Sequence, residues 1–237
     1  MLARALHEVL QRLDNAAQRS GRPCPRLLAA SKTQAAAAVA ELLAAGQRAF
    51  GENYVQEARA KQAELGAVAA AIEWHLIGHL QSNKARAAAA LFDWVQTLDR
   101  PTLVEALARH RAPTQPLLNV LIQVNVDDEA SKHGCHPDAI ATLAAAIAAQ
   151  PRLALRGLMA IPAPHPDSER RRPAFRRMQQ LFAALALQHP HIDTLSMGMS
   201  DDYAIAIEEG ATMVRVGTAL FGVPKGSESF TVTDDRT

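Results

Sequence analysis

Residues 195–222 read LSMGMSDDYAIAIEEGATMVRVGTALFG. Apolar, strand-like runs at 193–198 and 212–217 flank a short helical pattern over 201–209, and Gly210 stands where that helix should stop. A strand that returns through a helix cannot form a hairpin with its predecessor. The stretch therefore predicts two parallel strands joined by a right-handed crossover.

Toward the N-terminus the same unit recurs. Strand-like runs fall at 27–31, 48–51, 73–78, 93–98, 117–126 and 154–161. Helical patterns fall at 35–46, 53–65, 82–91, 101–110, 137–149 and 168–188. Pro101 and Pro137 suit first-turn positions, Ser168 and Ser200 suit N-caps, and Gly46 suits a helix stop. A leading helix is expected from the spacing of Leu2, Leu6, Val9, Leu10 and Leu13, with Glu8 and Asp14 on its polar side. Eight parallel strands is the number that closes a barrel. The expected fold class is α/β: a (β/α)8 TIM-type barrel, a single domain over 1–223 with an additional N-terminal helix. A polar, flexible tail is expected over 224–237. The competing open, doubly wound sheet lacks a glycine-rich phosphate fingerprint after the first strand.

Composition excludes several classes. The 237 residues carry a net charge of +1, so no global field favours nucleic acid or membrane. Cys24 and Cys135 lie far apart and outside metal-ligand spacing, which predicts free thiols and a reducing compartment. No apolar run approaches the roughly 18 residues of a membrane span. The N-terminus lacks a signal-peptide core, so a cytoplasmic protein is expected. Only five of the 25 basic residues are lysines, so a retained lysine is weakly favoured as a working amine.

In a barrel of this kind the active site lies at the C-terminal ends of the strands. Those ends carry Ser31 and Lys32, Glu52 and Asn53, His79 and Asn83, Asn125 and Lys132, Ser196 and Ser200, and finally Gly217 and Thr218, with Arg215 inside the last strand. Loops are polar anyway, so the convergence is the signal. Such barrels often hold phosphate with the loops after strands 7 and 8. Ser200 opens a predicted helix whose first N–H groups are free, and Gly217 permits close backbone approach. Ser200 as a mere cap and Gly217 as a mere turn stand beside that reading. Asp201 and Asp202 are expected as first-turn acids that complement the helix dipole. An amine facing a phosphate cradle fits a phosphorylated aldehyde, and pyridoxal 5'-phosphate (PLP) is one.

The stretches LLAASKTQ, FGENYVQEA, WHLIGHLQSNK, GLMAIP and the quoted 195–222 segment resemble the pyridoxal phosphate homeostasis proteins, the YggS/PROSC group. RVGTALFG is also similar to bacterial alanine racemases, whose N-terminal domain is a fold-type III PLP barrel. The resemblance spans nearly the whole chain. It implies PLP held as a Schiff base on Lys32, and phosphate contacts from Ser200, Gly217 and Thr218. It also implies Arg215 at the pyridine nitrogen, with Asn53 and Ser196 as near neighbours. Many bacterial members carry a lysine where this chain has Gln34. Lys132, in EASKHG, either approaches the ring oxygen or is a solvated loop lysine.

The resemblance implies a protein of intracellular vitamin B6 homeostasis and amino-acid and keto-acid balance, without robust catalysis. An arginine cannot protonate the ring nitrogen, which leaves a weak electron sink. The chain after strand 8 is also too short for the β-rich domain that racemases use. The alternative is a PLP-dependent racemase or lyase, with His79 or Lys132 as proton acceptor. The expected partners are PLP and PLP-dependent apoenzymes as recipients, with no nucleic acid, no membrane and a monomeric state. RRRPAFRR (170–177) overlaps an amphipathic helix, and its arginines are expected on the solvated face.

Overall fold

The computed structural model describes residues 1–127, 129, 132–163 and 165–222. The expected tail at 224–237 lies outside the described residues. Eight strands form a closed parallel barrel in sequence order: β1 (Arg26–Ala30), β2 (Ala49–Glu52), β3 (Glu73–Leu76), β4 (Trp94–Leu98), β5 (Leu118–Gln123), β6 (Leu153–Met159), β7 (Thr194–Met199) and β8 (Met213–Val216). Closure is direct, with Arg26 opposite Met213 and Ala29 opposite Val216.

All eight strands fall within the predicted runs to within a few residues. The fifth is shorter than its apolar run, and Val124 beyond it makes only an isolated bridge to Cys135. Helices α2 (Ala36–Ala44), α3 (Val55–Leu65), α4 (Ala85–Leu91), α5 (Pro101–His110), α6 (Ile140–Ala148), α7 (Arg172–Gln188) and α8 (Tyr203–Glu208) connect successive strands. Gly46 and Gly210 adopt φ of 105° and 98° just past their helices, the conformation their predicted stops require. Pro101 opens α5, and Pro137 opens a 3-10 turn ahead of α6.

The leading helix α1 (Leu2–Ser20) buries Leu6, Val9, Leu13, Ala16 and Ala17 and packs against α2, α8 and α9 (Thr218–Phe221). Leu10, predicted on the same face, is exposed instead.

Two expected caps are corrected. Asp167, not Ser168, caps the turn before α7, accepting from the Glu169 N–H at 3.0 Å. The helix after β7 begins at Tyr203, so Ser200 lies three residues before it in a turn. Asp202 has displaced it because that carboxylate is buried and doubly engaged. It accepts from the Met199 N–H at 2.7 Å and from Arg171 at 2.6 Å. Asp202 is thus an ion-pair partner rather than a solvated dipole acid.

Strand alternation sorts the side chains. Outward residues such as Phe50, Val95, Val120, Ile122 and Val214 join the large core beneath the helices. Inward residues form two smaller apolar groups, Leu28, Ala49, Ile77 and Met213 in one, Trp94, Leu121 and Met159 in the other. His75, Gln96, Ser196 and Arg215 are buried as well, and they touch both groups: His75 stacks on Trp94 and Gln96 reaches the Met213 sulfur.

Candidate functional site

A cleft opens at the C-terminal ends of β1, β2, β7 and β8. It brings together Lys32, Asn53, Ser200, Arg215, Gly217 and Thr218, six of the seven residues singled out from the sequence. The seventh, Ser196, is fully buried behind them, where its hydroxyl and carbonyl accept from Arg215 Nη1 at 2.7 and 2.9 Å.

Lys32 is exposed in the turn that follows β1, and no hydrogen bond or ion pair engages it among the described residues. That turn is strained. Thr33 has φ 63°, which costs a β-branched residue about 1–2 kcal/mol. It is held by the Gln34 N–H bonded to the Ser31 carbonyl at 3.0 Å. Beneath it sits a buried cluster: Lys61 Nζ donates to the Ser31 carbonyl and to Glu52 Oε1, both at 2.6 Å, and Ser31 Oγ donates to the same Glu52 oxygen at 2.6 Å. Glu52 was expected at the barrel mouth. It points outward instead, under α3, because Gly51 takes the inward position next to it.

Across the cleft, Arg215 is buried, and burial pushes its pKa down to about 10, with Asp202 working against the shift. It therefore stays charged near neutral pH. Its Nη2 donates to the Ala160 carbonyl at 2.8 Å. Counting its five N–H groups, Nε–H and the second Nη2 proton have no protein acceptor among the described residues. Ala30, Ile77, Ile161 and Met199 supply apolar walls.

Gly217 precedes the short helix α9, and a Cβ there would come within 3.2 Å of the Ala30 carbonyl. The first-turn N–H groups and Thr218 hydroxyl of α9 thus replace the helix once expected at Ser200. Ser200 stays in the cleft because the Asp202 clamp fixes its turn. Arg171, which donates to Asp202, also donates to the His165 carbonyl at 2.6 Å and ties the loop after β6 to the same turn.

Asp202→Ala strips both interactions and leaves Arg171 with a buried, unpaired charge. It is expected to cost about 2–3 kcal/mol, at or below the lower limit for a fully buried pair because Arg171 is 11% exposed. Chemical denaturation would read this loss.

Other expected residues lie elsewhere. His79 and Lys132 do not line the cleft that holds Lys32. His79 stacks on His133 at 3.8 Å and lines a neighbouring hollow with Lys84, which shares Asn53 with the main cleft. Lys132 pairs with Asp127 and Glu129 at 3.3 and 3.5 Å. Asn125 closes its own loop onto the Glu129 backbone. Gln96 and His75 escaped the sequence reading. Their signal was a polar residue at an inward position of an apolar strand.

The profile described as "Alanine racemase, N-terminal domain" matches residues 5–225. The pyridoxal phosphate homeostasis protein of Escherichia coli K12 is 51% identical over 226 residues, covering 93% of this chain and 96% of that protein. This chain belongs to the pyridoxal phosphate homeostasis protein family. A second member of the family, from Pseudomonas aeruginosa, is 50% identical over 93% of this chain and 95% of its own length. Among solved structures, PipY of Synechococcus elongatus PCC7942 with PLP bound superposes with a TM-score of 0.79 at 38% identity. The match covers 94% of this chain and all of that one.

The donor set here fits such a cofactor: an unengaged amine, a buried cation with unspent donors, apolar walls, and a glycine-lined hydroxyl cradle.

Proposed function

We propose that this protein binds PLP in the cleft and serves intracellular PLP homeostasis as a carrier rather than as an efficient enzyme. The observation that carries the reading is Lys32 and Arg215 sharing one cleft with Ser200, Gly217 and Thr218. A PLP held there would supply aldehyde chemistry, and Lys32 would be the amine that faces it. Ser200, Thr218 and the first-turn N–H groups of α9 hold the phosphate, and Asn53 borders the ring. Arg215 would turn one of its unspent N–H groups to the single lone pair of the pyridine nitrogen. That nitrogen therefore stays an acceptor, which supports weak electron withdrawal and poor turnover.

The arrangement of bases points the same way. Lys132 is tied up with Asp127 and Glu129, and among the described residues the one carboxylate lining the cleft, Asp201, is exposed beside Ser200. Holo-protein incubated with single-enantiomer amino acids is expected to racemise or deaminate them no faster than free PLP. A rate above that background that vanishes in Lys32→Ala would instead favour the racemase or lyase reading.

PLP-requiring apoenzymes are the proposed recipients, and the proposed setting is a monomer in the cytoplasm. Nucleic acid is not among the proposed partners. Arg171, Arg172 and Arg176, three of the five arginines at 170–177, are engaged by Asp202, Glu169, Glu208 and Glu209, which lowers the free positive field there. No helix among the described residues is long and apolar enough to cross a membrane.

The test is direct. The protein is mixed with PLP, reduced with borohydride, digested and mapped by mass spectrometry. A reduced pyridoxyl mass on Lys32 is expected. No adduct, or an adduct on another lysine, would reject the assignment.

A further inference from the structure

A line of hydrogen bonds runs through the inside of the barrel from Arg215 to its opposite end. Arg215 Nη1 lies 2.7 Å from Ser196 Oγ. Ser196 Oγ lies 2.7 Å from Gln96 Oε1, across 100 residues of sequence. Gln96 Nε2 lies 2.9 Å from His75 Nδ1. His75 Nε2 lies 2.5 Å from Glu73 Oε1, and Arg26 reaches that same oxygen at 2.8 Å. His75, Gln96 and Ser196 are fully buried.

The protons in this line have one consistent direction. Glu73 is ionised: burial opposes its charge, but the His75 hydrogen bond and Arg26 overcome that and hold its pKa at about 2. A carboxylate can only accept, so His75 must carry a proton on Nε2. Burial favours the neutral imidazole, so Nδ1 is left as an acceptor. Gln96 must then turn its amide NH2 toward His75, and its second proton meets the Met213 sulfur at 3.2 Å. That orientation leaves Gln96 Oε1 to accept the Ser196 hydroxyl. The Ser196 lone pairs then remain for Arg215. A reversed amide would set an oxygen against the Nδ1 lone pair and deprive the Ser196 proton of its acceptor.

We propose that His75 and Gln96 are positioning residues for Arg215. Acting through Ser196, they fix the guanidinium so that its two unspent N–H groups face the cleft. The inference deepens the PLP reading above and rests on it for its consequence, namely that these two residues help set how the ring nitrogen is held. The line itself is a property of the unliganded protein and can be tested there.

The experiment uses the full chain with Gln96→Leu and Gln96→Glu. Leucine keeps the approximate volume and removes both hydrogen-bonding functions. Glutamate still accepts from Ser196 and draws a second proton onto His75 Nδ1, so it should preserve the Arg215 end of the line.

In unliganded wild type, nitrogen-15 NMR should find His75 protonated on Nε2 only, and the Arg215 Nη1–H protons that meet Ser196 exchanging slowly with solvent. In Gln96→Leu the slow Arg215 signal should be lost and PLP should bind roughly tenfold more weakly, the worth of about one hydrogen bond. In Gln96→Glu the Arg215 signal should survive, with His75 doubly protonated. Leu121→Val, an inward apolar change, should lower stability without moving the Arg215 signal.

A folded Gln96→Leu protein with unchanged Arg215 exchange and unchanged PLP affinity would overturn the proposal. If Gln96→Leu does not fold, the glutamate variant decides: loss of the slow Arg215 signal there also overturns it. A wild type that binds no PLP would reject the cofactor reading, while the NMR arm would still decide the line.

Discussion

Lys32→Ala protein, mixed with PLP and reduced with borohydride, is expected to carry no pyridoxyl group on Lys61, Lys84 or Lys132, where the wild type is expected to carry one on Lys32. The remaining described lysines cannot take over. Lys61 is buried and held by Glu52 and the Ser31 carbonyl. Lys84 lines the neighbouring hollow rather than this cleft, and Lys132 is engaged by Asp127 and Glu129.

Noncovalent binding should persist in this variant, because Arg215, Ser200 and Thr218 are untouched. Its affinity should fall on the order of a hundredfold, the equivalent of about 2.7 kcal/mol. Lys32→Arg should behave the same way, since a guanidinium keeps the charge but has no nucleophilic amine. Mass mapping and a binding titration check both statements. A reduced adduct reappearing on another lysine of Lys32→Ala would mean that the amine is not unique, and the site would have to be redrawn.

The barrel was legible in the sequence because it is written in local patterns. Each strand is a short apolar run, each crossover is a helical period, and Gly46 and Gly210 punctuate them. Lys32, Asn53, Arg215, Gly217 and Thr218 were legible for a related reason: strand ends place them at one rim whatever the details of packing.

What failed depended on partners far away in sequence. Ser200 looked like an N-cap until Arg171 was seen to claim Asp202 and move the helix start to Tyr203. Glu52 reads as a rim residue, but it faces outward beside inward Gly51 and meets Lys61 under α3. Strict alternation from Gly51 could have warned of that, since adjacent strand residues face opposite sides. His75 and Gln96 were visible only as polar residues inside apolar strands. Their partners lie on other strands, and no local rule names them.

The buried Glu52 supports the second large effect. Lys61→Met is expected to destabilise the fold by about 3–5 kcal/mol, the cost of leaving one member of a buried ion pair alone. Glu52 is fully buried and Lys61 is 7% exposed, so solvent cannot substitute for the missing ammonium. Glu52 Oε2 already lacks a partner among the described residues. After the substitution only Ser31 Oγ would support the charge.

The loss should depend on pH in a defined direction. Burial already raises the Glu52 pKa, and the hydrogen bonds from Lys61 and Ser31 counter it. Without Lys61 the folded-state pKa rises further above the unfolded value. A raised carboxylate pKa carries no penalty at low pH, where both states hold the proton. The penalty grows as pH climbs above the unfolded pKa near 4.3, until the folded-state pKa is passed. Lys61→Met should therefore be markedly less stable at pH 8 than at pH 5, relative to wild type.

Pairing it with Glu52→Gln should recover part of the loss and flatten the pH dependence, because no buried charge remains. Denaturant titrations of the four proteins at the two pH values complete the cycle. A cost below about 1 kcal/mol with no pH dependence would mean that Glu52 is protonated in the wild type. In that case Lys61 would hold the Lys32 turn through the Ser31 carbonyl alone.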